Sequence, residues 1–171
     1  MHDKRTTTTT DVWLTPREVL VALGPFDLDP AAPKRRPWDM AKIHYTVETD
    51  GLSRPWFGRV WLNPPYGRQT HLWLGRLRQH GNGIALLSTR VETRMFFEHV
   101  WGVADAIFFF RGRIQFFRED GTRCGSACAP SCLIAYGKNN VAAIRRSNLQ
   151  GWLISAKEHS CVPTTATSSA S

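Results

Sequence analysis

Along this chain the spacing of apolar residues switches repeatedly between short continuous runs and a helical period, which is the pattern of an α/β fold. Val60-Trp61-Leu62, Ile84 to Leu87 within the stretch Gly83 to Thr89, and Ala106 to Phe110 are continuous apolar runs, as strands buried on both faces are. Phe26 to Asp29 alternates apolar and polar and breaks at Pro30, a strand running into a loop. Ile43, Tyr45 and Val47 alternate with His44, Thr46 and Glu48, predicting a half-buried strand. Thr15-Pro16-Arg17-Glu18 has the form of a capping box with proline at the first helical position; the helix buries Val19, Leu20 and Leu23 and stops at Gly24-Pro25. His71-Leu72-Trp73-Leu74 with Leu77 gives a second helical stripe closed at Gly81, and Met95, Phe96, Val100 and Trp101 give a third. Arg111-Gly112-Arg113 then turns the chain into Ile114 to Phe117. A loop from Arg118 to Pro130 leads to a last strand, Cys132 to Tyr136. Residues 141–155 are expected to add a short helix and apolar cover. Residues 1–10 and 158–171 read as polar tails, disordered at the N-terminus and Ser/Thr-rich at the C-terminus, leaving 11–157 as one domain.

The sharpest break in the pattern is at Asn63-Pro64-Pro65-Tyr66. Pro65 cannot donate to a sheet ladder and biases Pro64 away from helix, so the strand ends there and the chain leaves it stiffly extended. Asn63 and Tyr66 then stand at a strand's C-terminal edge, where open α/β sheets bind their ligands. The alternative is an ordinary turn capped by Asn63, with Tyr66 covering the core.

Composition narrows the partner. With 171 residues there is room for one core and no separate recognition domain. The net charge of +8 and pI near 9.9, carried mainly by arginine, point to nucleic acid. No apolar run approaches the ~20 residues of a membrane helix, and the N-terminus lacks the apolar centre of a signal peptide, so a cytoplasmic protein is expected. Cys124, Cys128, Cys132 and Cys161 show no tight Cys-x2-Cys knuckle, which argues for reduced structural cysteines and no metal.

The order Trp13-x-Thr15-Pro16, Leu28-Asp29-Pro30-Ala31-Ala32, Asp50-Gly51-Leu52 and Trp61-Leu62-Asn63-Pro64-Pro65-Tyr66 resembles the small phage-type (Dam-like) DNA N6-adenine methyltransferases, over about residues 11 to 137. The tetrapeptide is the specific part of the likeness. The resemblance implies a compact, Rossmann-like class I methyltransferase fold, with a mostly parallel sheet and a C-terminal antiparallel hairpin. It also implies S-adenosylmethionine as cofactor and double-stranded DNA, with an adenine target, as partner. Asn63, Pro64, Pro65 and Tyr66 are the implied catalytic residues. Thr15 and Pro16 would lie beside the methionine part of the cofactor, and Asp29, with Pro30 and Ala31, would take its ammonium group. Asp50, with Gly51 and Leu52, would accept from the adenine amino group, and Asn63 would border the cofactor as well. An acid for the cofactor ribose is not evident; Asp39 is a weak candidate. Arg68, Arg90, Arg94, Arg111, Arg113 and Arg118 are candidates for DNA contact. Phe116 is a candidate second aromatic wall for a flipped base, against the commoner role of a strand phenylalanine as core. The oligomeric state is left open, with a monomer favoured.

Two other readings remain. Relatives with this loop methylate cytosine N4, RNA adenine or a glutamine side chain; Asn63 leans toward adenine by resemblance, and the basic charge toward nucleic acid. The chain could also be a basic DNA-binding module that kept the fold and lost catalysis.

Overall fold

Three apolar residues in a row, Val60, Trp61 and Leu62, have no exposed surface, and the strand they form lies inside the sheet with a parallel neighbour on each side. The computed structural model of the chain describes residues 12–124 and 129–157, so both expected tails lie outside the described residues. Seven strands make one sheet: β1 (Leu28–Asp29), β2 (Ile43–His44), β3 (Val60–Leu62), β4 (Gly83–Ser88), β5 (Ala106–Phe110), β6 (Ser131–Tyr136) and β7 (Gly151–Ser155), in the order β2-β1-β3-β4-β6-β5-β7. Four helices, α1 (Arg17–Leu23), α2 (Thr70–His80), α3 (Arg94–His99) and α4 (Lys138–Arg146), cover it. Alternate β-residues feed two apolar layers. Trp61, Ile84 and Leu86 pack with Leu20 and Leu23 of α1 and Ile144 of α4. Val60, Leu62, Ala85 and Leu87 pack with Trp73, Leu74 and Leu77 of α2 and Phe96 of α3. The architecture is a helix–sheet–helix sandwich.

The β1, β2, β3 and β4 strands are parallel. The β6 strand is antiparallel to both β4 and β5, and β7 is antiparallel to β5. The C-terminal ends of β1, β3, β4 and β5 and the N-terminal end of β6 therefore meet at one edge of the sheet. Gly81 ends α2 in the left-handed conformation (φ 74°), as the sequence predicts.

Several expectations are corrected. Half of the strand pairings are antiparallel, because β6, buried throughout, is inserted between β4 and β5, and β7 pairs antiparallel with β5. Ile114 to Phe117 is no strand: Ile114 and Phe116 are buried in the core, and Phe117 makes only isolated bridges to Leu14 and Arg123. Residues 138–155 supply both a helix and an edge strand. The 43–48 strand stops after two residues, since Thr46 to Thr49 closes a turn and leaves Val47 84% exposed. Pro16, at φ −55° and ψ 135°, precedes the first helical residue, and no side chain caps α1.

Candidate active site

Asn63 follows β3 directly, and the two prolines carry the chain away from the sheet. Its side-chain Nδ2 donates to the Trp13 carbonyl at 2.6 Å. A carbonyl only accepts, so the amide's NH2 end is fixed there and its oxygen is turned elsewhere. That oxygen, Oδ1, is buried with no hydrogen-bond partner. Thr70, at the start of α2, braces the loop: its hydroxyl accepts from the Gly67 N–H at 2.9 Å and lies 2.9 Å from the Pro65 carbonyl. Tyr66 is anchored by its hydroxyl, which donates to the Leu86 carbonyl at 3.4 Å. Burial of that end pushes the phenol's pKa up, while the residue as a whole stays 42% exposed. A ring fixed at one end and open along its body is a stacking surface.

Two cavities open at this edge. The first, about 560 Å³, is lined by Thr15, Asp29, Pro30, Ala31, Asp50, Gly51, Leu52, Asn63, Pro64, Pro65 and Tyr66 among others. The second, about 810 Å³, is lined by Tyr66, Arg68, Arg90 and Phe116 among others. Trp13 and Tyr66 line both.

The first cavity holds a deeply buried carboxyl. Asp29 is 2% exposed, and its Oδ1 accepts from the Ala31 N–H at 3.0 Å. Burial raises its pKa to about 7, against the opposing pull of the Ala31 N–H and the charge of Arg36. An acid held there half-ionised near neutrality is prepared for a cationic partner. Across the cavity, Gly51 approaches Pro30 so closely that a Cβ on it would lie 1.9 Å from the Pro30 carbonyl oxygen. Asp50 sits at φ 47°, with its Oδ1 accepting from the Leu52 N–H at 3.3 Å. The Thr15 hydroxyl lines this cavity, buried and without a partner. Together these groups fit a cofactor with an ammonium group and several further polar atoms, in a volume within the ~300–1,000 Å³ of ligand pockets.

The remaining predicted residues are scattered. Pro16 is buried ahead of α1 and does not line the first cavity. Asp39, bonded to Arg36 at 2.9 Å, does not line it either. Arg94 pairs with Glu98, and Arg111, Arg113 and Arg118 are exposed and line neither cavity. Phe116 is 4% exposed and meets Trp13 edge-on, with ring centroids 6.0 Å apart. It is therefore core first and cavity wall second. Sequence reasoning missed Gln69, Trp73 and Glu119 in the first cavity and Ser131 in the second. Ser131 arrives only because it pairs with Ser88 across β4 and β6, a long-range register that no local signal carries.

Among the described residues no group of His, Cys, Asp and Glu is placed to hold a metal ion, and no helix is long and apolar enough to cross a membrane. Cys124 and Cys132 are free thiols, and Cys128 and Cys161 lie outside the described residues.

Residues 3–148 match the family model described as DNA N-6-adenine-methyltransferase (Dam). A DNA N-6-adenine-methyltransferase of Escherichia phage T1 is 40% identical over 86 residues, covering 45% of this chain and 35% of the relative. The similarity thus spans about a third of that relative's length. No solved structure matches the chain.

Proposed function

Since the chain belongs to the DNA N-6-adenine-methyltransferase (Dam) family, we propose that it methylates N6 of an adenine flipped out of double-stranded DNA, at a specific site, with S-adenosylmethionine as donor. The observation that carries this reading is the pair of cavities sharing Trp13 and Tyr66, with the unpartnered Asn63 oxygen beside them. A transfer between two bound partners needs two compartments that touch at the reacting group. A Rossmann-like class I methyltransferase plan is supported by the parallel strands ending at the site and by the antiparallel β6 inserted beside β5.

In the first cavity Asp29 pairs with the cofactor's ammonium group. Thr15 and Asp50 meet its other polar atoms, and the backbones of Pro30, Ala31, Gly51 and Leu52 form the walls. When bound, S-adenosylmethionine supplies a methyl group already activated on a sulfonium. The difficult partner is the acceptor, because the adenine N6 lone pair is delocalised into its ring. Asn63 Oδ1 and the Pro64 carbonyl each accept one N6–H. Those two bonds draw the nitrogen toward a pyramidal form with its lone pair free, and they stabilise the positive charge that builds on it until one N6 proton is released to water. The Asn63–Trp13 hydrogen bond fixes the amide beforehand, so little reorganisation remains at the moment of transfer. Tyr66 stacks on the extruded base, an interaction worth about 1–3 kcal/mol. Arg68 and Arg90, at the second cavity, contact the flanking phosphates.

The test is labelled-methyl transfer from S-adenosylmethionine to unmethylated duplex DNA, RNA and protein, followed by hydrolysis and identification of the product. Label in N6-methyladenine of DNA supports the proposal. Label in N4-methylcytosine, in RNA or in glutamine would reassign the acceptor, and no label in any of them would leave a DNA-binding module.

A further inference from the structure

This chain holds its indole N–H groups carefully. Trp38 donates to the Thr15 carbonyl at 3.1 Å, Trp56 to Gly51 at 2.7 Å and Trp101 to Val91 at 3.0 Å. Trp13 and Trp152 are exposed, so water serves them. The other two, Trp61 and Trp73, keep buried N–H groups with no partner. A buried donor without an acceptor loses its hydration and receives nothing in exchange, so native proteins rarely leave one unless a ligand or an ion completes it. Both of these tryptophans line the first cavity.

They differ in access. Trp61 is wholly enclosed, whereas Trp73, on the first turn of α2, is 8% exposed. Its ring stacks on Trp56, with centroids 6.3 Å apart and planes 27° from parallel. Trp56 in turn is tied to Gly51, so Trp73 belongs to the Asp50–Leu52 end of the cavity rather than to the Asp29 carboxyl. A lone N–H donor at that end, away from the acid that takes an ammonium group, suits an acceptor on a nucleoside: a ring nitrogen or a ribose oxygen.

We propose that the Trp73 indole N–H is a further cofactor-binding group, donating to the nucleoside half of the cofactor. The inference rests on the reading of the first cavity as the cofactor site. It identifies a residue whose helical spacing looks like plain core.

The test uses the whole protein and needs neither DNA nor turnover. Trp73→Phe keeps a ring and removes only the N–H donor and one ring's width of packing. Binding of S-adenosylhomocysteine and of 5′-methylthioadenosine, which has the nucleoside and lacks the amino acid, is measured by calorimetry. The expected result is that the variant loses about tenfold in affinity for both. A merely structural role would lower the melting temperature and leave both affinities as in the wild type, which overturns the inference. Loss for S-adenosylhomocysteine alone would also overturn it, by moving the donor to the amino-acid half. Should the wild-type protein bind neither compound, the cofactor reading itself fails and takes the inference with it. If Trp73→Phe does not fold, the indole N–H resonances of the wild type are followed by NMR during titration with S-adenosylhomocysteine. A downfield shift of the assigned Trp73 signal is expected, and an unmoved signal overturns the inference.

Discussion

The two ends of an asparagine side chain are alike in outline and opposite in chemistry, and Asn63 is held by only one of them. The Trp13 carbonyl takes its NH2 at 2.6 Å and leaves its buried oxygen with no partner. Asn63→Ala should therefore lower the transfer rate by about 10²–10³-fold, the scale of losing one aimed polar group at a charge-developing centre. Affinity for S-adenosylmethionine should stay within about threefold of wild type on the same scale. Single-turnover transfer beside calorimetry checks both, and retained transfer would put the acceptor elsewhere. Asp29 makes a second, pH-dependent prediction. Its carboxyl ionises at about 7 in the fold against 3.8 ordinarily, chiefly through burial. Ionisation is thus harder in the native than in the unfolded state, so stability of the free protein should fall as pH rises from about 4 to about 7 and then level off. An ammonium ligand reverses the preference, so cofactor affinity should climb over the upper part of that range. Asp29→Asn should melt higher than wild type at pH 7.5, bind the cofactor more weakly and lose the pH dependence of binding. Melting curves and calorimetry at pH 5.5, 6.5 and 7.5 read both effects; a variant that binds as wild type at all three would remove Asp29 from the site.

The elements show what the sequence could and could not disclose. The β3, β4 and β5 strands were legible because four to six apolar residues in a row, or three before a double proline, leave few alternatives. The α2 helix was legible because its stripe is closed by a glycine that takes up a left-handed conformation. Asp29, Asp50 and Asn63 converge on one cavity as their order in the chain suggests. The failures concern long-range pairing and edges. Alternation at Ile43, Tyr45 and Val47 has the period of a strand, yet β2 is an edge with one neighbour, and after Tyr45, which still bonds the Asp29 carbonyl and the Ala32 N–H, the chain closes the Thr46 to Thr49 turn. The insertion of β6 beside β4 is a pairing across more than forty residues and has no local trace. The Thr15 hydroxyl did not become a helix cap, and its burial at the cavity is the stronger fact. Gly51 marks the element-scale prediction. It is where the turn after β2 is pressed against the loop after β1, with 1.9 Å available between an added Cβ and the Pro30 oxygen. Gly51→Ala must separate the two loops, so cofactor affinity should fall by about tenfold or more. Duplex DNA binding should be nearly unchanged. An unaltered cofactor dissociation constant would mean that this approach does not shape the cavity.

At the scale of the whole molecule, charge and chemistry occupy different parts of the same sheet edge. The net charge is +8, and the exposed Arg111, Arg118 and Arg123 extend from the end of β5 along a segment that lines neither cavity with these side chains. That segment is nonetheless joined to the site. Phe117 and Leu14 exchange backbone hydrogen bonds at 2.8 and 3.1 Å, one residue from the carbonyl that holds Asn63. Arginines in this position would engage the DNA backbone, which positions the duplex and carries no sequence information. Each phosphate neutralised contributes about 0.9 to the slope of log affinity against log salt. Replacing Arg111, Arg118 and Arg123 together by alanine should weaken binding to all duplexes alike and reduce that slope by up to about 3. The transfer rate at saturating DNA should remain near wild type, because the three side chains do not face the reacting groups. Asn63→Ala should show the reverse, with an unchanged salt slope and lost transfer. Binding titrations from 50 to 200 mM salt separate the two variants, and an unchanged slope in the triple variant would turn this face away from DNA and leave Arg68 and Arg90 to carry the backbone contact.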